Sequence, residues 1–195
     1  MTAAWREGTL RDGPGPRSGL VVKVGGSLLG LHGWPARLTD LIAALGDRPP
    51  APLLIVGGGR VVDGLREIDA AGPRPPALMH DLAIDAMSLT ARIVADALGL
   101  PVVALADGGG VLDAATWLRC TDHAAPLPAG WHVTSDSIAA LVAAETGRGL
   151  LLAKRTPPPE GGHDFERLAT SGWVDAHFPV AAATIATITW AAPAE

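Results

Sequence analysis

Cysteine is almost missing from this 195-residue sequence: Cys120 stands alone, so no disulfide can form within the chain, and a reducing cytoplasm is the expected compartment. Basic residues are not in excess either, with 15 Lys and Arg against 20 Asp and Glu and a formal net charge of -5. That balance argues against non-specific binding to nucleic acid or to anionic membranes. Small-molecule ligands stay open. Long apolar runs are absent as well: each aliphatic stretch is broken by Gly, Asp or Arg well short of a bilayer span, and no apolar signal segment opens the sequence. A membrane span is therefore not expected. What the chain does have is 48% apolar residues, too many for a disordered protein and enough for a core of ordinary domain size.

The opening "MTAAWREGTLRDGPGPRSG" is rich in Gly, Pro and Arg and has no periodicity, which predicts a flexible tail over residues 1–19 and a single domain over 20–195. From Leu20 onward, short β-branched or aliphatic runs recur: "LVVKV", "PLLIV", "PVVAL", "WHVT", "GLLLAK" and "ATIATITW". Between them, Pro35 to Leu45, Arg60 to Ala71, His80 to Leu98 and Ser135 to Thr146 carry apolar residues at helical spacing. In the third of these, Leu82, Met87, Leu89, Ile93, Val94 and Leu98 predict a broad buried stripe. Strands alternating with helices predict an α/β fold, a three-layer αβα sandwich with a mainly parallel central sheet. Proline clusters at Pro49 to Pro52, Pro73 to Pro76 and Pro157 to Pro159 mark loops rather than domain boundaries.

The first run ends in "KVGGS", Lys23 to Ser27, and the second in "VGGGR", Val56 to Arg60. Consecutive glycines after a buried strand let several backbone N–H groups converge on an anion at the carboxyl edge of a parallel sheet. Neither turn matches a Walker loop or a dinucleotide fingerprint, and each alone reads first as a tight strand-to-helix turn. The pair suits a chain of phosphates. Lys23 interrupts an otherwise aliphatic strand, so its ammonium must reach a cleft, an anion or, by snorkelling, water.

A third corner, "WHVTSDSIAALVA", spends Thr134, Ser135, Asp136 and Ser137 at the start of a helical pattern. One cap residue suffices for a helix N-terminus, so the cluster also suits a ligand site. In a parallel sheet it falls on the same edge as the glycine turns. There Asp136 could hold Lys23 or ligate magnesium, while Ser135 and Ser137 could donate to phosphate oxygens or cap the helix. Phosphoryl transfer needs mainly positioning and charge neutralisation, which such residues supply.

Taken in order, KxGGS after strand one, GGG after strand two and TSDS opening a later helix resemble the amino acid kinase superfamily. The resemblance runs from about Leu20 to the end. Within it, "DHAAPLPAGWHVTSDSIAALVA", "GGGRVVDGLREID" and "GWVDAHFP" are similar to a short branch that includes the kinase of methanofuran biosynthesis, which phosphorylates an aminomethylfuran-methyl phosphate. The resemblance implies an ATP- and Mg2+-dependent phosphotransferase acting on a phosphate or carboxylate acceptor in one-carbon coenzyme biosynthesis, with assembly into homo-oligomers. It gives Lys23 the transferring phosphoryl group, Gly25, Gly26 and Ser27 the nucleotide phosphates, and Gly57, Gly58 and Gly59 the acceptor side. Asp136 would orient lysine or metal. Ser135, Ser137 and Lys154 fall on the nucleotide side, while Arg60 and Arg66 could bind a phosphate already on the acceptor, although Arg66 reads equally as an exposed helix arginine.

The chain departs from the family at "KRTPPPEGG", residues 154–162, where a T-x-V-D-G-[IV] segment is expected, and the second lysine-bearing turn of larger members is not recognisable. These departures keep open a second reading, a non-catalytic binding or assembly protein on a kinase fold. His80, Asp81 and Asp85 read first as a polar helix start, with His80 within reach of an acceptor pocket. Asp122, His123 and His132 match no standard metal spacing, Asp107 with Gly108 to Gly110 reads as turn chemistry, and Cys120 as an inert thiol.

Overall fold

Alternation within the strands decides how the molecule is layered. The computed structural model describes residues 4–13, 19–46, 49–120, 122, 127–160 and 164–194. In chain order the elements are β1 (Trp5–Arg11), β2 (Leu20–Val24), a 3-10 turn (Gly26–Gly30), α1 (Trp34–Leu45), β3 (Leu53–Val56), α2 (Gly59–Ala71), α3 (Pro76–Leu98), β4 (Val102–Val103), β5 (Gly110–Leu112), α4 (Ala114–Cys120), α5 (Ser135–Thr146), β6 (Gly149–Ala153), α6 (Phe165–Thr170), α7 (Phe178–Ala181) and β7 (Ile188–Pro193). One seven-stranded sheet runs in the order β1-β7-β6-β2-β3-β5-β4, parallel except for β1 against β7. The expected mixed α/β architecture with a mainly parallel central sheet is present.

Successive residues of β2 face opposite sides, as strand geometry requires. Val21 joins Leu53, Ile55, Leu150 and Leu152 in the core beneath α5, α6 and α7. Val22 and Val24 join Leu54, Val56 and Leu151 beneath α1 and the C-terminal half of α3. Lys23 therefore points to the α5 side, in register with Ile55 of β3 and Leu152 of β6. Both neighbours are fully buried, so its ammonium cannot reach water by lying over them.

Several expectations give way. Within the predicted tail, Trp5–Arg11 is an edge strand paired with β7, and Leu10 is buried. Its Gly and Arg content reflects an edge position with one solvated side, where Gly8 leaves room for the Trp190 indole and the Trp5 indole N–H donates to the Arg37 carbonyl. "WHVT" is not a strand but a turn leading into α5, because β2, β3 and β6 already have partners on both sides. "PVVAL" contributes only the short edge strand β4, while "GVL", too brief for a periodic signal, supplies β5. The α3 stripe splits: Met87 and Val94 are buried, whereas Leu82, Leu89 and Ile93 are exposed. Among the described residues, no helix is long and apolar enough to cross a membrane.

Candidate active site

The sheet brings the glycine turns together at its carboxyl edge. The Gly25 N–H donates to the Ala153 carbonyl at the end of β6, and the Gly57 N–H to the Val24 carbonyl at the end of β2. Beyond these bonds the two turns interlock. A Cβ on Gly26 would run into the backbone of Gly57 and Gly59, one on Gly57 would stand 2.7 Å from Ser135 Oγ, and Gly59 has φ +54°. Only glycine permits such an approach of backbone to backbone.

Behind the first turn sits a sealed charged centre. Lys23 Nζ lies 2.7 Å from Asp136 Oδ1, and Lys154 Nζ lies 2.7 Å from Asp136 Oδ2. Lys154 Nζ also donates to the Trp173 carbonyl at 2.6 Å and lies 5.1 Å from the centre of that indole. Asp136 is 5% exposed and Lys23 4%. The Lys23 ammonium thus pairs with Oδ1 as an ion pair, while Oδ2 accepts the hydrogen bond from Lys154. Burial raises the Asp136 pKa, but the charges of Lys154 and Lys23 outweigh it and hold the carboxyl at about 2. Burial in turn presses the Lys154 ammonium down to about 8, with Lys23 acting in the same sense and Asp136 against it. One carboxylate between two ammonium groups leaves a net positive centre.

Asp136 reaches this position because α5 starts there, and its N-terminus is tied from outside. Asp175 Oδ2 accepts from the Thr134 N–H, the Thr134 hydroxyl and the Ser137 N–H, each at 2.9 Å. Asp175 Oδ1 accepts from the Ser137 hydroxyl at 2.5 Å and the His177 N–H at 3.1 Å. Ser137, fully buried on Asp175, is thus a helix-start residue and not a phosphate donor. Asp136 is equally unsuited to holding magnesium. Both of its oxygens already face ammonium groups, and among the described residues no three His, Cys, Asp or Glu side chains cluster as metal ligands.

In front of the glycine turns opens a cavity of about 230 Å³. Gly26, Ser27, Gly57, Gly58, Gly59 and Ser135 line one wall, while Val62, Ile84, Met87 and Ile138 make an apolar floor. The cavity and the charged centre are one turn apart, since Gly26 and Ser135 line the cavity and their chain neighbours Gly25 and Asp136 belong to the centre. A Cβ on Gly25 would lie 3.8 Å from Lys23 Nζ. Arg66, paired with Asp63 at 3.2 Å, stacks over Trp131 with its guanidinium 5.2 Å from the ring centre, and all three line the cavity. Trp131 is itself pinned through its indole N–H to Asp69 Oδ2 at 2.7 Å. His80 lines the cavity too, its Nδ1 3.2 Å from the Gly130 carbonyl, and burial keeps its pKa below the ordinary histidine value.

The remaining candidates scatter. Arg60 is exposed beside Gly30, away from the cavity lining. Asp81 and Asp85 form surface ion pairs with Arg119, and Asp107, Asp122, His132 and Cys120 lie apart from the charged centre and the cavity lining. His123, Gly161 and Gly162 lie outside the described residues. Sequence reasoning alone misses Asp175, Trp131 and Trp173. The signals for Asp175 are an acid lodged in the mostly apolar "GWVDAHFP" and the place of that segment in the family resemblance.

This architecture has solved counterparts. The uridylate kinase from Archaeoglobus fulgidus superposes with a TM-score of 0.57 at 14% identity, over 88% of this chain and 99% of that one. The UMP kinase from Ureaplasma parvum gives 0.56 at 16% identity, over 86% and 84%. The chain has the amino acid kinase fold. At such identity the likeness carries the fold and leaves the activity to the site. No family model matches the sequence, and no curated protein does.

Proposed function

We propose that this protein is an ATP-dependent small-molecule kinase of the amino acid kinase type, transferring the γ-phosphoryl group to a phosphate or carboxylate acceptor. The observation that carries the reading is the Lys23–Asp136–Lys154 centre directly behind two interlocked glycine turns that open on a cavity. A phosphoryl group in flight spreads negative charge over its oxygens, and catalysis consists mostly of positioning and neutralising that charge. Two ammonium groups sharing one carboxylate keep a positive charge in a dry site at tolerable cost, and they need little rearrangement when the anion arrives.

In this reading Lys23 faces the transferring group, and Asp136 orients both lysines. Lys154 fills the place of a second cation, delivered by β6 rather than by a later turn. Gly25, Gly26 and Ser27 hold nucleotide phosphates. The N–H groups of Gly25 and Gly57 are already used by the sheet, so the donors further along each turn serve the anions. Gly57, Gly58, Gly59 and Ser135 take the acceptor side, with Arg66 and His80 at the far wall for a charge the acceptor already carries. Magnesium would enter with the nucleotide and supply further positive charge at its phosphates. The cavity's apolar floor suits an acceptor with a small ring, which supports the methanofuran-type, one-carbon coenzyme substrates implied by the resemblance. Leu78, Leu82, Leu89 and Ile93, exposed along α3, support self-association of the same protein.

The test is transfer of label from γ-labelled ATP to a panel of phosphorylated furans, UMP and small carboxylates, run beside Lys23→Ala. Labelled product with wild type and none with a folded Lys23→Ala supports the reading. Failure to bind any nucleotide would hand the fold to the alternative, a non-catalytic binding or assembly protein.

A further inference from the structure

We infer that the loop from Trp173 to His177 is a positioning device that fixes the distance between Asp136 and Lys154, with Asp175 as its positioning residue. The inference rests on the kinase reading of the lysine pair for its catalytic consequence, but the geometry stands by itself. The loop makes two separate attachments to the charged centre. Its Trp173 carbonyl takes a hydrogen bond from Lys154 Nζ at 2.6 Å, and the Trp173 indole N–H donates to the Thr156 carbonyl just beyond Lys154. Two residues later, the Asp175 carboxylate takes the first turn of α5 through Thr134 and Ser137, which flank Asp136 on both sides.

Helices ordinarily cap their N-termini from within, using the side chain that precedes the first turn. Here the internal cap is weak, Thr134 Oγ1 lying 3.5 Å from the Asp136 N–H, and the strong acceptor comes from 38 residues downstream. An external cap leaves the helix start dependent on where the loop sits. Val174, buried between the two attachment points, and the His177 N–H, which donates to Asp175 Oδ1, hold that loop in place. One short segment thereby sets both partners of the second ion pair, whereas Lys23 is placed by β2 alone.

The experiment is a crystal structure of Asp175→Asn together with its steady-state kinetics. Asparagine keeps the shape but offers an NH2 donor to a cluster of donors, so the first turn of α5 should slacken and the 2.7 Å contact between Asp136 and Lys154 should open or split. The account expects kcat to fall by about tenfold or more while the KM for ATP changes by less than about threefold, a split that general loosening of the fold would not produce. A variant that keeps the contact and keeps kcat overturns the inference. If wild type transfers no phosphoryl group yet the contact opens in the variant, the kinase reading fails and the positioning role stands. Should Asp175→Asn not fold, Ser137→Ala removes one of the five bonds and is read in the same way, and an unmoved contact with unchanged kcat again overturns the inference.

Discussion

The charged centre and the cavity in front of it are one turn apart, yet they are built on opposite principles. Lys23 and Asp136 are about nineteen-twentieths buried, and their places are dictated by strand register and a helix start. Arg66 is exposed, and the neighbouring wall of Trp131 and His80 is made by loops and helix ends. In the proposed kinase, the chemistry common to phosphoryl transfer would fall to the rigid part and choice of acceptor to the more exposed wall.

The comparison breaks most readily at Asp136. Asp136→Asn leaves two buried ammonium groups without their counter-charge, so unfolding in urea should show a loss of about 3–5 kcal/mol, with no transfer activity. A loss below about 1 kcal/mol would mean that the centre is not sealed. Next comes Gly26→Ala, whose methyl group must displace the opposing Gly57–Gly59 backbone. It should cost about 1–3 kcal/mol by thermal unfolding and weaken nucleotide and acceptor binding together.

The pH dependence sharpens the contrast further. Lys154 titrates near 8 in the folded protein, while the unfolded chain holds that proton to about 10.4, so the group adds stability as pH rises across this window. Phosphoryl transfer needs the charge, so kcat should fall as pH passes about 8. Stability and rate moving in opposite directions is the signature, and a rate that stays flat to pH 9.5 would remove Lys154 from the mechanism. At the acid end, the contribution of Asp136, depressed to about 2, is complete above about pH 4 and is lost as pH falls toward 2.

The smallest effect belongs to the outer wall. Arg66→Ala should change stability by less than about 0.5 kcal/mol, since the side chain is exposed, yet raise the acceptor KM by roughly tenfold with kcat unchanged. Equal KM values in variant and wild type would place the acceptor's charge elsewhere.

How much of this is legible in the sequence follows the same division. β2, β3 and β6 announce themselves as continuous aliphatic runs because both faces of the sheet are covered, and the TSDS corner marks the start of α5 at Ser135 as observed. Lys23 stands out because it breaks such a run. Edge elements are harder to read: Trp5–Arg11 has one solvated side and several charged or small residues, so it resembles a tail until β7 gives it a partner. Asp175 is hidden for a different reason. Its role depends on contacts with residues 38 and 41 positions earlier, and no local period records those distances. In sequence Lys154 falls on the nucleotide side, at the head of a segment that departs from the family pattern, and the third dimension makes it the second cation on Asp136.

The most direct measurement is calorimetric titration of the protein with ATP and magnesium, beside the same titration of Lys23→Met. The account predicts saturable binding to wild type and binding at least about tenfold weaker in a variant that unfolds cooperatively. Equal affinity in both proteins, or no binding in either, would contradict it.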